Sequence, residues 1–188
     1  MVLGAGAAEF QVNEYTTSVQ RAPAISNDSA GGLVIAWQSS GQDGSYSGIF
    51  ARRFDSMGNA SGAEFEVNQF TTGAQSYPAI SHDSSGRFVV VWQSYGQDGA
   101  FSGIFARRFD SAANPLGAGE FQVNQFTTEN QYHPAISHDP TGGFFIVWDS
   151  FQDGSTTGVF GRRFDSDGNP VGAEFQINQY TTLQQENP

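Results

Sequence analysis

The sequence predicts an all-β protein made of tandem four-stranded antiparallel repeats, and three observations carry that expectation. Phe10–Thr17, Phe65–Thr72, Phe121–Thr128 and Phe175–Thr182 spell nearly the same phrase. Gly48–Asp55 (Gly-Ile-Phe-Ala-Arg-Arg-Phe-Asp) returns at Gly103–Asp110 and, altered, at Gly158–Asp165. Trp37, Trp92 and Trp148 keep step, 55 and 56 residues apart. Units repeated at such a period bury their apolar faces against each other. The chain divides into a leading strand of an incomplete repeat (1–19), repeats over 20–74 and 75–130, and a third over 131–188 that ends at the start of a further repeat.

The middle repeat gives the elements in order. Tyr77–Ser81 is a short apolar strand, and its Pro78 suits a strand start or an edge. His82–Gly86 is turn chemistry. Arg87–Trp92 is β-branched and aromatic without alternation, the pattern of a strand covered on both faces. Ser94–Gly99 is a polar loop. Gly103–Phe109 alternates, with Phe105, Arg107 and Phe109 on one side and Ile104, Ala106 and Arg108 on the other. Asp110–Gly117 is a turn, and Glu120–Asn124 a last short strand. No apolar stripe recurs at helical spacing.

Four short strands in about 55 residues match a β-propeller blade, with the middle strand sandwiched between neighbouring blades. A three-fold β-prism or β-trefoil is the alternative. Closed propellers hold about 4–8 blades, so three repeats imply adjacent repeats of a longer chain or a homodimer. The spare strand from Glu9 would then complete a neighbour's blade. The termini point the same way: Leu3–Phe10 aligns with Leu116–Phe121, and Gln185–Pro188 with Gln75–Pro78.

Composition narrows function. A net charge of −11 over 188 residues argues against nucleic-acid binding, which needs a basic face. All eight basic residues are Arg, six of them in the repeated pairs Arg52/Arg53, Arg107/Arg108 and Arg162/Arg163. On a strand the two members of a pair face opposite ways. One is expected to bridge blades by stacking on Trp or pairing with a turn Asp, the other to be solvated. The chain has no Cys, hence no disulfide or thiolate chemistry. No apolar run approaches the roughly 20 residues of a membrane helix, and Met1–Ala8 lacks the charged region of a signal peptide.

Candidate sites repeat with the architecture. Gln42, Asp43 and Tyr46 return as Gln97, Asp98 and Phe101, and in shortened form as Gln152 and Asp153. An amide, a carboxylate and a ring suit a shallow sugar site. The same letters also describe a turn in which Asp caps backbone N–H groups and Gly takes positive φ. Asp165, Asp167 and Asn169 alternate as oxygen ligands of a hard cation such as calcium would, though a hairpin turn is the better reading of them. Ser81-His82-Asp83 contains triad letters, but adjacent residues in a turn cannot assemble a triad. No catalytic site is expected.

The repeated phrase (Phe-Gln-Val-Asn-Gln-Phe-Thr-Thr, Pro-Ala-Ile-Ser, Phe-Val-Val-Val-Trp-Gln-Ser, Gly-Gln-Asp-Gly, Gly-Ile-Phe-Ala-Arg-Arg-Phe-Asp) resembles repeats of large secreted bacterial proteins of the hemolysin-type, RTX-like calcium-binding and adhesin groups. The resemblance covers about Glu9 to Pro188. It implies an extracellular or cell-surface location in a bacterium. The Gly-Gly-x-Gly-x-Asp calcium repeats of RTX proteins are absent. Asn27–Leu33 and Ser81–Phe88 are also similar to the Asp-box of sialidase-like propellers, a structural turn. The resulting expectation is a non-catalytic module for multivalent adhesion to glycans or another cell-surface ligand. Its alternative is a self-assembling spacer.

Overall fold

The computed structural model describes residues 9–154 and 156–179. The expectations placed on Met1–Ala8 and Gln185–Pro188 lie outside them. Among the described residues twelve strands form three antiparallel sheets of four, each paired in chain order. The first holds β1 (Gln20–Asn27), β2 (Leu33–Ser40), β3 (Ser47–Phe54) and β4 (Phe65–Glu66). The second holds β5 (Gln75–His82), β6 (Phe88–Tyr95), β7 (Ser102–Phe109) and β8 (Pro115–Gln122). The third holds β9 (Gln131–His138), β10 (Phe144–Ser150), β11 (Gly158–Phe164) and β12 (Phe175–Gln176). The sheets stack in sequence as an open series, with β1 packed on β5 and β5 on β9. Among the described residues no helix is long and apolar enough to cross a membrane.

The unalternating middle strand has the predicted cause. Phe88, Val90 and Trp92 of β6 face one core, shared with Val34, Ala36, Ile49, Ala51 and Val67 of the first sheet. Val89 and Val91 face the other, shared with Phe144, Ile146, Trp148, Phe160 and Phe164 of the third. The alternation of β7 splits the same way: Phe105 and Phe109 enter the first core, Ile104 and Ala106 the second. Each fully buried large side chain is worth about 1.5–3 kcal/mol, so these two interfaces hold the sheets together.

The last strand departs from expectation. β8 begins at Pro115, inside the segment that reads as a turn, and pairs Pro115 with Phe109 before a register shift. In the first and third sheets the same place makes only isolated bridges, Phe54 to Ala60 and Phe164 to Pro170. The second sheet therefore joins two short pairings into one edge strand, where Pro withholds no needed donor.

Polar clamps set the register between repeats. Arg107 Nη1 donates to the Val67 carbonyl at 2.8 Å, and Arg162 Nη1 to that of Val123 at 3.0 Å. Each guanidinium also lies over a Phe two residues on, Phe109 and Phe164. The ring is thus Phe, not the expected Trp. The second Arg of a pair is not simply solvated either: Arg108 donates to the Ser166 and Asp167 carbonyls, and Arg163 pairs with Asp139.

The leading segment needs a correction. Phe10–Asn13 belongs to no described strand ladder. It lies on the first sheet as the end of one sheet lies on the next. Phe10 meets Phe54 at 5.5 Å, as Phe65 meets Phe109 at 5.6 Å. Arg52 donates to the Val12 carbonyl at 3.1 Å. Side-chain docking holds this segment, without backbone pairing.

Replacing Arg107 with Ala removes a charge-assisted bond between sheets, so Arg107→Ala should lower unfolding free energy by about 2 kcal/mol. Urea unfolding should show an earlier midpoint at unchanged slope.

Candidate functional site

The three Gln-Asp-Gly loops gather at one end of the sheets, and several of their polar atoms bond within the protein. Gly41 and Gly44 adopt φ of 72° and 87°, Gly96 and Gly99 of 76° and 93°, as such tight loops require. Asp43 Oδ1 accepts the Ser45 N–H at 3.0 Å, and Asp98 Oδ1 that of Ala100 at 3.2 Å. Gln42 donates to Glu64 at 2.5 Å, and Gln97 to Glu120 at 2.6 Å. Those carboxylates in turn accept backbone N–H groups of the preceding repeat, at Glu14 and Tyr15 and at Gln69 and Phe70. Glu174 does the same for Gln125 and Phe126. Gln42, Asp43, Gln97 and Asp98 thus shape the loops and clamp repeats, while Gln42 Oε1, Asp43 Oδ2, Gln97 Oε1 and Asp98 Oδ2 are buried with no hydrogen-bond partner. Gln152 and Asp153 are likewise half-buried. Burial and the Asp43 carboxylate hold the Glu66 carboxyl above its ordinary range.

The rings behave differently. Tyr46 is 80% exposed and Phe101 47%. Tyr46 lines a groove of about 410 Å³ with Phe70, Thr72, Gly73, Ala74, Tyr95 and Gly96. The groove lies between the first and second repeats: Tyr46 comes from the first loop, Tyr95 from the end of β6. Its floor is backbone. Tyr95 N–H donates to the Ala74 carbonyl at 2.9 Å. At Gly73 a Cβ would fall 2.9 Å from the Tyr95 carbonyl oxygen, and φ is +79°, so Gly lets the two segments meet there. The positions return at the next junction as Phe101, Phe126 and Phe151, with Phe151 also exposed. In the sequence Tyr95 reads only as part of a polar loop; its partnership with Tyr46 arises from stacking of repeats.

A second cluster lies on the first strands of the sheets. Ala22, Tyr77 and His133 occupy equivalent positions before Pro and hold φ of 51°, 52° and 48°. Non-Gly residues seldom adopt this conformation. Each sits at an irregularity in the pairing of its sheet. His133 Nδ1 contacts Asp149 Oδ2 at 2.8 Å, and Tyr77 meets the His133 ring edge-on at 5.4 Å. Asp149 is 1% exposed. Gln38 and Gln93 replace it in the other repeats, so the His–carboxylate pair occurs once.

The structure also joins Ser81 to His138, with Oγ 2.9 Å from Nδ1. The serine oxygen accepts the His138 backbone N–H as well, and the imidazole packs on Phe144. Asp83 does not complete a triad: its Oδ1 accepts the Ser85 and Arg87 N–H groups and its Oδ2 pairs with Arg87. This is a bond between repeats.

The Asp165 turn closes on itself. Asp165 Oδ1 accepts the Asp167 and Asn169 N–H groups, and Oδ2 the Asn169 side-chain amide. These bonds hold the Asp165 carboxyl below its ordinary range. Asp55 and Asp110 use the same geometry. Asp165 thus closes the turn, while the Asp167 carboxylate is 79% exposed and lies 3.9 Å from Arg108. Among the described residues no group of three or more His, Asp or Glu side chains is placed to hold a metal.

No family model matches the chain, and no curated protein matches it. Solved structures do. An α-L-arabinofuranosidase from Lactobacillus brevis is 12% identical with a TM-score of 0.53, over 84% of this chain and 53% of its own. A glycoside hydrolase of the GH130 family of mannoside phosphorylases is 12% identical at 0.51, over 88% and 51%. A thermostable family-43 glycoside hydrolase is 12% identical at 0.50, over 90% and 61%. The chain thus spans half to three-fifths of their length. The likeness is one of fold, and the neighbours are β-propeller-like.

Burial lowers the pKa of His82 to about 4. Unfolded histidine takes up its proton near 6.5, so its contribution to stability is present above that pH and is lost as pH falls toward 4. Replacing His82 with Asn, the residue at the equivalent position 27, should flatten the fall in melting temperature between pH 6.5 and 4. Calcium or a chelator should leave the melting temperature unchanged.

Proposed function

We propose that the chain is a non-catalytic, propeller-blade repeat module of a bacterial extracellular or cell-surface protein that binds glycans. The observation that carries this reading is the open groove between repeats, flanked by Tyr46 and Tyr95. Exposed rings over a rigid backbone floor suit the apolar face of a sugar, while nearby carbonyls and hydroxyls accept or donate to its rim. The aromatic positions recur at the second junction as Phe101 and Phe151. Two weak sites held at fixed spacing gain strength on a surface that displays many copies of a sugar. The neighbouring enzymes act on carbohydrates, but their likeness speaks to fold; the groove supports the ligand class.

Absence of catalysis is part of the proposal. The His133–Asp149 pair is an asymmetric polar feature, and the same position is Tyr77 with Gln93 in the second repeat. A structural reading, in which the repeats act as an assembling spacer, draws on the apolar face left at the third sheet.

A glycan array with the whole chain tests the module. Saturable binding to one sugar class is expected. Tyr46→Ala or Tyr95→Ala should weaken it at least about tenfold, or 1.4 kcal/mol, with the melting temperature nearly unchanged. A blank array, or binding indifferent to both substitutions, would sink the groove as the site.

A further inference from the structure

The junctions inside the chain show what a face of this kind accepts. Val34, Ala36, Ile49, Ala51 and Val67 of the first sheet are covered by the second. Val89, Val91, Ile104, Ala106 and Val123 of the second are covered by the third. The third sheet presents Phe145, Val147, Val159, Gly161 and Ile177 at the same positions. Phe145, Val147 and Val159 are only half-buried, and Ile177 is 41% exposed where Val67 and Val123 are fully covered. At the other end, the first sheet offers the receiving face. Ile35 and Trp37, counterparts of Val90 and Trp92, line a cavity of about 180 Å³ with Val12, Arg21 and Pro23.

We propose that this face of the third sheet docks onto the first sheet of a second copy of the chain, head to tail, repeating the junctions already made within one copy. A second copy is the occupant because it carries the receiving face in the same residue types, so the contact continues an existing interface. The polar partners are also in place. Arg108 reaches the carbonyls of Ser166 and Asp167 in the next sheet's turn. Arg163 is its counterpart, and the matching turn of a second copy holds Ser56 and the exposed Met57.

One segment must give way. Phe10–Asn13 occupies on the first sheet the place that Phe175–Asn178 of another copy would take. The two read Phe-Gln-Val-Asn and Phe-Gln-Ile-Asn. β12 pairs through two residues only, so Phe10–Asn13 of one copy can replace it as the last strand of the other, strand addition with little change in side chains. A head-to-tail contact closes a ring or grows a filament.

The chain has no Cys, which permits a direct test. Met57→Cys and Arg163→Cys are made singly at exposed positions and treated with a short bismaleimide. Mixed, they should give a cross-linked pair; each alone should not. Sedimentation of the unmodified chain should show mass rising with concentration, and Val159→Asp should weaken association at least tenfold. Should Val159→Asp fail to fold, the cross-link still decides. No cross-link in the mixture, equal cross-linking of either variant alone, or a single-chain mass at every concentration would overturn the proposal. Glycan binding is read separately, so either reading can fail without the other.

Discussion

A sheet with apolar side chains on both faces cannot stand alone in water, and the rest of this structure follows from that constraint. β6 is the clearest case, sending Val90 and Trp92 to one neighbour and Val89 and Val91 to the other. Four strands are too few to bury both faces by curling on themselves, so each sheet takes another sheet as its cover. The hydrophobic term is large but has no direction. By itself it would let sheets slide.

Direction comes from the polar clamps. Arg107 on Val67 and Glu120 on Gln69 and Phe70 tie each repeat to the one before at fixed points. The bonds are charge-assisted and half-buried, a setting in which they are stronger than neutral ones. They also explain the fate of the Gln-Asp-Gly loop. Its Gln is needed to hold the clamping Glu, and its Asp to hold its own backbone. The ring of the loop is left exposed. A groove between repeats is thus a by-product of the packing that joins them, and its walls necessarily come from two repeats.

The cluster of His133, Asp149 and Tyr77 shows how repeats diverge inside a shared backbone. The strained conformation before Pro recurs at Ala22 and Tyr77, so the bulge belongs to the architecture. The side chain placed on it is free to vary. The aromatic positions at the junctions follow the same rule, running Tyr46 to Phe101 in the loops and Tyr95 to Phe151 at the strand ends.

Much of the architecture was legible in the sequence, because periodicity is a property of the chain. The repeat length, the four strands, the doubly covered middle strand and the split of Phe105 from Ile104 follow from spacing and side-chain parity. The loop residues were legible as a set but not by role. Whether Gln42 faces a ligand or Glu64 depends on a carboxylate 22 residues away, and Tyr46 gains Tyr95 only across a junction. The Ser81–His138 bond and the docking of Phe10 on Phe54 are likewise contacts between repeats. Sequence by itself determined the unit, since hydrogen bonding and alternation within a sheet are local. Only the tertiary structure decided which polar groups were consumed in joining units and which surface remained, because those contacts depend on how one sheet sits on the next.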